Sequence, residues 1–508
     1  MAQAVDDVSI YDYIIIGGGT SGAVAARRLA ENHINFSVCL LEAGPSNHDV
    51  TVSHMPGSLH LMHKTPPDWC YTTVPQKGCN NRAIAITRGR LLGGCSAINA
   101  TLVTRGTKAD YDRIADMGNP GWSWKEMLPL FKASETFHPA EWHQADLNIY
   151  GTDGPLHISM NSLAPISEKI LESFIDSGFD YKPDIAYNSP MVLMHSGIGW
   201  EKHLNEVGID CKVNLRGVGE NLQDHLLALT SYQVSDPSFT HDRFIYHHPD
   251  AIRLAIKEWE DTKTGVMASF SVGVLALTRI DKTIQDPAWE AAKVKQQSKN
   301  ALNSDPTGQL PNQPHIEFIS TQSYIGVADL LDADGLPYNP VNGEGIFTLT
   351  TFLCGPQARG TVRLSSKDPT SKPIIDHDYL NNDLDVAVLA EGCRMGHEII
   401  TKGRGTKDII VGPWPKIVSH PNDMIGWKEH VRAFTNTGCH AAGTCKMAPI
   451  SDPMGVVDSR LRVRYVKGLR VADISILPIL NNGHPQIFAY AIGEKVASMI
   501  LQDIDVSK

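Results

Sequence analysis

No stretch of this 508-residue chain approaches the ~20 consecutive apolar residues of a membrane-spanning helix, so no membrane span is expected. Basic charge is short as well: 45 Lys and Arg stand against 56 Asp and Glu, a formal net charge of −11. Without a basic surface, nucleic acid is excluded as a partner. The nine cysteines show no Cys-x-x-Cys spacing, and an odd count of scattered thiols suits a reduced compartment. Cys439, His440 and Cys445 lie close together, but no second pair completes a tetrahedral set, so no metal is expected. Internal repeats and low-complexity tracts are missing. The residues before Tyr11 include Asp6 and Asp7 and hold no basic leader, and the final four residues are not a peroxisomal signal. A cytoplasmic location is the resulting expectation.

What is present reads as an ordinary globular enzyme, 42% hydrophobic and 20% charged, and long enough for two or three domains. Its most informative unit is residues 12–43. The apolar run Tyr13 to Ile16 predicts a buried parallel strand. Gly17, Gly19 and Gly22 then fit a Gly-x-Gly-x-x-Gly turn, opening a helix that carries Ala23, Ala25, Ala26 and Leu29. Glycines are needed there because a pyrophosphate must approach the backbone closely, with its charge on the helix N-terminus. A second strand, Ser37 to Leu41, ends in Glu42, about 20 residues beyond Gly22, where a carboxylate meets ribose hydroxyls. The unit implies a dinucleotide, NAD or FAD.

Further along, residues 45–90 are loop-rich, and residues 88–106 hold a second glycine turn. Trp124 to Glu135 predicts an amphipathic helix with Met127, Leu128, Leu130 and Phe131 inward. A charged helix is expected near Arg253–Lys263, strands at Val272–Leu277 and Gly345–Phe352, a helix over 384–402 and another from Phe488 to Leu501.

Several motifs in order are similar to those of the glucose–methanol–choline (GMC) oxidoreductases: the N-terminal unit, Asp68-Trp69 through Pro75-Gln76, and Gly89 to Asn99. Asn188-Ser189-Pro190 through Gly199, Gly217 through His225, and His440 to the C-terminus continue the match. The resemblance implies an α/β composite fold. A Rossmann-type FAD-binding domain would take residues 8–130, 186–230 and 435–505. An inserted substrate domain, an antiparallel sheet flanked by helices, would take 131–185 and 231–434. It also implies FAD and oxidation of a small-molecule alcohol, with an electron acceptor, oxygen or other, that no motif names. A homodimer is compatible with this class.

The chemistry can be stated from the residues. Oxidising an alcohol removes a hydroxyl proton and moves a hydride from carbon to flavin N5, and a neutral imidazole suits the first task. A second hydrogen-bonding side chain orients the oxygen and stabilises developing alkoxide charge. By resemblance His440 is the base and His484, 44 positions on, its partner, with the roles open to sharing or exchange. Strand Leu469–Ala472 is expected to return the two to one pocket. By resemblance, too, Gly17, Gly19, Thr20, Ser21, Gly22, Glu42 and Ala43 line the dinucleotide cleft. Asn99, Ala100, Thr101 and Leu102 run beside the flavin, Ala472 and Asp473 lie near the ribityl–pyrophosphate, and Gln486 and Ile487 at the isoalloxazine. Asn99 also reads as a turn residue and Asp473 as a helix N-cap. Ile98 stands where some choline-oxidising relatives carry a flavin-linking histidine, so FAD is expected to be non-covalent.

The pattern breaks once. Phe179 through Ile185 runs straight into Ala186-Tyr187-Asn188, where the family has a long stretch bearing strands of the FAD-domain sheet. A strand, crossover and strand need about 30 residues, more than a trimmed loop. Three origins compete: an exon-skipped or misassembled chain, an enzyme whose adenine half is covered by other segments or a partner, and a member that kept the fold but lost FAD. A non-redox, lyase-like member and a strictly NAD-dependent dehydrogenase are the functional alternatives.

Overall fold

The computed structural model describes residues 10–32, 36–140, 146–160, 163–179, 192–298, 305–325, 338–415 and 421–505. The opening unit forms where its spacing predicts: strand β1 (Tyr13–Ile16), helix α1 (Thr20–Asn32) and strand β2 (Val38–Leu41). The strands pair in parallel, Tyr13 opposite Val38 through Ile16 opposite Leu41. Among the described residues they form a sheet by themselves. α1, with Ala25 and Leu29 buried, covers one face, while Ile14 and Ile16 are each 59% exposed and Leu41 49%. β1 is therefore not the buried strand its apolar run predicts. Such a strand is buried only when neighbours flank it and layers cover both faces, and among the described residues one layer is present. The junction at Ile185–Ala186 and the Asn188-Ser189-Pro190 motif lie outside the described residues.

Helix α2 (Trp124–Ser134) starts at a Ser123/Glu126 capping box and buries Met127 and Phe131. The second layer system is a six-stranded antiparallel sheet. Its strands are β3 (Leu226–Val234), β4 (Val272–Thr278), β5 (Ile316–Thr321), β6 (Gly345–Leu353), β7 (Ile410–Pro413) and β8 (Thr435–Thr437). The order is β4-β5-β6-β3, with β7 and β8 sharing the far edge of β3. Helix α3 (Ala251–Thr262) lies between β3 and β4 in the chain, and α4 (Asp383–Lys402) packs across the back of the sheet. Two glycines allow that approach: a Cβ at Gly392 would come within 2.6 Å of Ile316 Cδ1, and one at Gly396 within 2.7 Å of Leu349 Cδ2.

The front of the sheet, with Val272, Ile319 and Phe352, packs against Ala100 and Leu102 from the second glycine turn. Helix α5 (Gln486–Asp505) runs beside α1, tied by Ser21 Oγ donating to the Ala489 carbonyl at 2.7 Å and by the Arg28–Glu494 ion pair at 2.7 Å. Its Phe488 packs on Tyr111 with ring centroids 5.0 Å apart, in the core that also holds Trp122 and Phe131. The expected strand Leu469–Ala472 does not form. That stretch makes one bridge, Arg462 to Arg470, and leads into a turn of 3-10 helix, Ile474–Ile476. Its backbone bonds, Val463 N to Leu469 O and Val471 N to Leu461 O, close a tight loop and leave no length for a ladder.

Candidate active site

Three residues of the motif at Gly217–His225 organise the site. Gln223 exchanges backbone hydrogen bonds with Ala442 (3.0 and 2.8 Å), and Gly438 N donates to the His225 carbonyl at 2.7 Å. This ladder continues the β3–β8 pairing and lays residues 223–225 against 438–442. Gln223 also grips the other histidine loop. Its amide donates to the Pro478 carbonyl at 3.3 Å and accepts from Leu480 N at 3.2 Å. His440 and His484 are thereby brought together, their ring centroids 4.3 Å apart. Convergence comes from this clamp, in place of the expected strand.

Asp224 is buried and accepts from the backbone N of His440 at 2.6 Å, from Thr437 Oγ1 at 2.6 Å and from the Tyr379 hydroxyl. Burial pushes its carboxyl up to about 6 against these donors. His225 Nδ1 lies 2.7 Å from His440 Nδ1, a ring-to-ring hydrogen bond. Burial, then the neighbouring His484, His225 and Arg88, hold His440 well below the ordinary imidazole range. Burial first and His484 second bring His225 down to about 3. Both rings are thus neutral near pH 7.

The sheet supplies the wall. Phe352 lies over both histidines, 5.8 Å from His440 and 5.3 Å from His484 between centroids. Directly opposite it on β5 is Glu317, whose Oε2 is 3.3 Å from His484 Nε2. His225, Asp224, Gln223, Phe352 and Glu317 were not singled out from sequence. The first three sit in a motif whose acid–histidine pair was the available signal; Phe352 and Glu317 meet the histidines only through strand register.

The dinucleotide residues fit their group. Gly17 has φ +100°, and a Cβ there would meet nothing within 4 Å, so the backbone is open to a pyrophosphate. Gly22 packs on the Gly17 carbonyl, which a Cβ would approach to 2.1 Å. Glu42 stands at the end of β2 and accepts from Gly18 N and Gly44 N, each at 2.8 Å, with Ala43 exposed between them. At the other end, both amide atoms of Asn481 and Oε1 of Gln486 are buried without partners among the described residues, polar edges suited to a heterocycle. Ala100 and Leu102 face the sheet, beside Asn99, whose Oδ1 accepts from Thr101 N at 2.8 Å in the turn its type predicts. Asp473 caps the turn Ile474–Ile476 by accepting from Ser475 N at 2.8 Å, with Ala472 half-buried before it. Thr20 is buried at the start of α1, Ser21 binds α5, and Ile487 lies in the core beneath α5. Ile98 packs with Met62 and Leu91. Among the described residues no group of three or more His, Cys, Asp or Glu could hold a metal, and no helix is long and apolar enough to cross a membrane.

Comparison with known proteins identifies the family of the chain. The N-terminal GMC oxidoreductase family model matches residues 11–185, and the C-terminal one residues 356–493. Pyranose dehydrogenase 3 of Leucoagaricus meleagris is 28% identical over 588 aligned residues, taking in 96% of this chain and 92% of that protein. Patulin synthase of Aspergillus clavatus is 28% identical over 597, with 96% and 91% covered. Both aligned stretches exceed the 508 residues of the chain itself, so these relatives carry internal residues that it lacks. A solved structure of Aspergillus oryzae formate oxidase, bearing a mutation studied for its effect on FAD modification, superimposes with a TM-score of 0.87 at 25% identity, covering 98% of this chain and 99% of that one. The chain belongs to the GMC oxidoreductase family and is a flavoprotein that uses FAD to act on CH–OH groups.

Proposed function

We propose that this chain oxidises a small-molecule alcohol to its carbonyl at the His440–His484 pair, with FAD held non-covalently. The observation that carries the reading is the pair itself: two imidazoles 44 positions apart meet at 4.3 Å, and one is kept neutral by burial. The chemistry FAD supplies when bound is acceptance of the hydride that leaves the carbinol carbon. Gly17, Gly19 and Gly22 would cradle its pyrophosphate, Glu42 its ribose, and Asn99 to Leu102 with Gln486 its ring system. His440 takes the hydroxyl proton at Nε2, because Nδ1 is engaged with His225. His484 donates to the substrate oxygen and stabilises its developing negative charge. Phe352 and the sheet behind it exclude water from both rings. Residues 231–434, with 131–185, act as the substrate domain, and 8–130, 186–230 and 435–505 as the FAD domain. The electron acceptor is oxygen or another oxidant.

His440→Ala tests the assignment. Anaerobic reduction of bound flavin by substrate should fall by about a hundredfold or more, with FAD still bound by its absorption spectrum. Unchanged reduction would remove His440 from the role.

A further inference from the structure

The row of side chains that the sheet turns toward the histidines runs Leu277, Glu317, Phe352, Leu227 across β4, β5, β6 and β3. One member is charged. Glu317 is 3% exposed, and its Oε1 is buried with no partner among the described residues. Its Oε2 stands 3.3 Å from His484 Nε2, so the carboxylate borders the space where the alcohol oxygen must sit. The ionisable groups around it are the site's own: His484, with His440 beyond it, and the Cys354 thiol, which burial first and Glu317 second push up. None of these donates a hydrogen bond to Oε1. A carboxylate oxygen withdrawn from water without a donor is strongly unfavourable, and a fold retains one readily where a ligand completes it.

We propose that Glu317 determines specificity: the alcohol oxidised here carries a second hydrogen-bond donor, an O–H or N–H close to the reacting carbinol, which Glu317 Oε1 accepts. The proposal rests on the alcohol-oxidising reading above and adds no chemical step to it. Oε2 stays beside His484 while Oε1 fixes the far side of the substrate, so one side chain orients the carbinol toward the two imidazoles. The same charge repels anionic substrates such as hydroxy acids. Two kinds of molecule offer the required donor, a neutral vicinal diol or polyol and a protonated amino alcohol, and the removal of charge tells them apart.

The test uses the FAD-loaded full chain and its Glu317→Gln variant, both checked for bound flavin by absorption. Anaerobic flavin reduction and calorimetric binding are measured with butan-1-ol, butane-1,2-diol, 2-aminobutan-1-ol and 2-hydroxybutanoate, and with the phenyl-substituted counterparts. The wild type should favour the diol by about tenfold or the amino alcohol by about a hundredfold over the plain alcohol, and should reject the hydroxy acid. Glu317→Gln should abolish most of an amino-alcohol preference but only part of a diol preference, since the amide oxygen still accepts. A flat ranking in the wild type overturns the proposal. So does an equal loss for every substrate in Glu317→Gln, because Glu317 would then act only through His484. Flavin that stays oxidised with every alcohol defeats the alcohol-oxidising reading instead. The binding isotherms then judge Glu317 alone, and equal affinities in the two proteins count against it.

Discussion

His440 is held at two points that act on different parts of it. Asp224 accepts from its backbone N at 2.6 Å and fixes where the residue sits. His225 meets its ring at 2.7 Å through Nδ1 and fixes which nitrogen is engaged. Partners of this kind set the tautomer of a working imidazole, and their loss costs about 10- to 100-fold in comparable sites. His225→Leu should therefore slow anaerobic flavin reduction by about that factor with FAD retained, whereas His225→Asn, whose amide can still meet Nδ1, should recover most of it. The pH profile separates this from a packing defect. His225 is neutral near pH 7 and acts on His440 through the Nδ1 hydrogen bond. The acid limb, where rate is lost as His440 becomes protonated, should therefore move in His225→Leu and stay in place in His225→Asn. An unmoved limb with equal loss in both variants would make His225 a packing residue.

Among the elements, the β1–β2 sheet leaves large apolar side chains exposed. Its glycine turn and helix form because their requirements are local: a positive φ at Gly17, close packing at Gly22, small residues along α1. Its burial does not form, because it depends on strands that the chain would have to supply from elsewhere. Ile14, Ile16 and Leu41 project from the open face, beside the turn that receives the cofactor. An unpaired apolar strand edge is also a site for unwanted association. Inserting between Ile185 and Ala186 the strand-bearing segment of a full-length relative should raise the unfolding free energy by a few kcal/mol, at about 1.5–3 kcal/mol per large apolar side chain covered. It should also lower the FAD dissociation constant, read by flavin fluorescence during titration. An unaltered affinity and melting temperature would show that the short sheet is complete as it stands.

Across the whole molecule, buried neutral histidines couple stability to pH. His225 and His377 are brought down to about 3 and His430 to about 4, all chiefly by burial, and His440 well below its usual range. Unfolded, each takes a proton near pH 6.5. Below that pH the unfolded chain binds more protons than the native one, so this stability is fully present above about 6.5 and is lost as pH falls. Asp224, raised to about 6, works in the opposite sense between about 4 and 6, which makes pH 7.5 to 6 the cleanest window. Over it each histidine should remove on the order of 1 kcal/mol. The melting temperature of the FAD-loaded protein, scanned by calorimetry at constant ionic strength, should fall. A flat or rising value would mean that these rings accept protons in the native state.

Much of the fold was legible because its signals are local. Alternation and apolar runs placed β4 and β6, helical periodicity placed α2 and α4, and the glycine spacing placed the turn at residues 17–22. The catalytic pair was legible only through the C-terminal motif, since spacing says nothing about whether two histidines meet. Glu317 and Phe352 could not be read at all. A one-residue slip of β5 against β6 would turn both side chains to the other face, and that register is decided by the packing of α4 on the back of the sheet. His225 and His440 are 215 positions apart, and a clamp of backbone bonds around Gln223 joins them. The sequence by itself therefore determined several of the elements, the family and the cofactor, through short-range periodicity and ordered motifs. Only the tertiary structure decided which side chains share the site and which strand lies bare, because both follow from long-range packing summed over many residues.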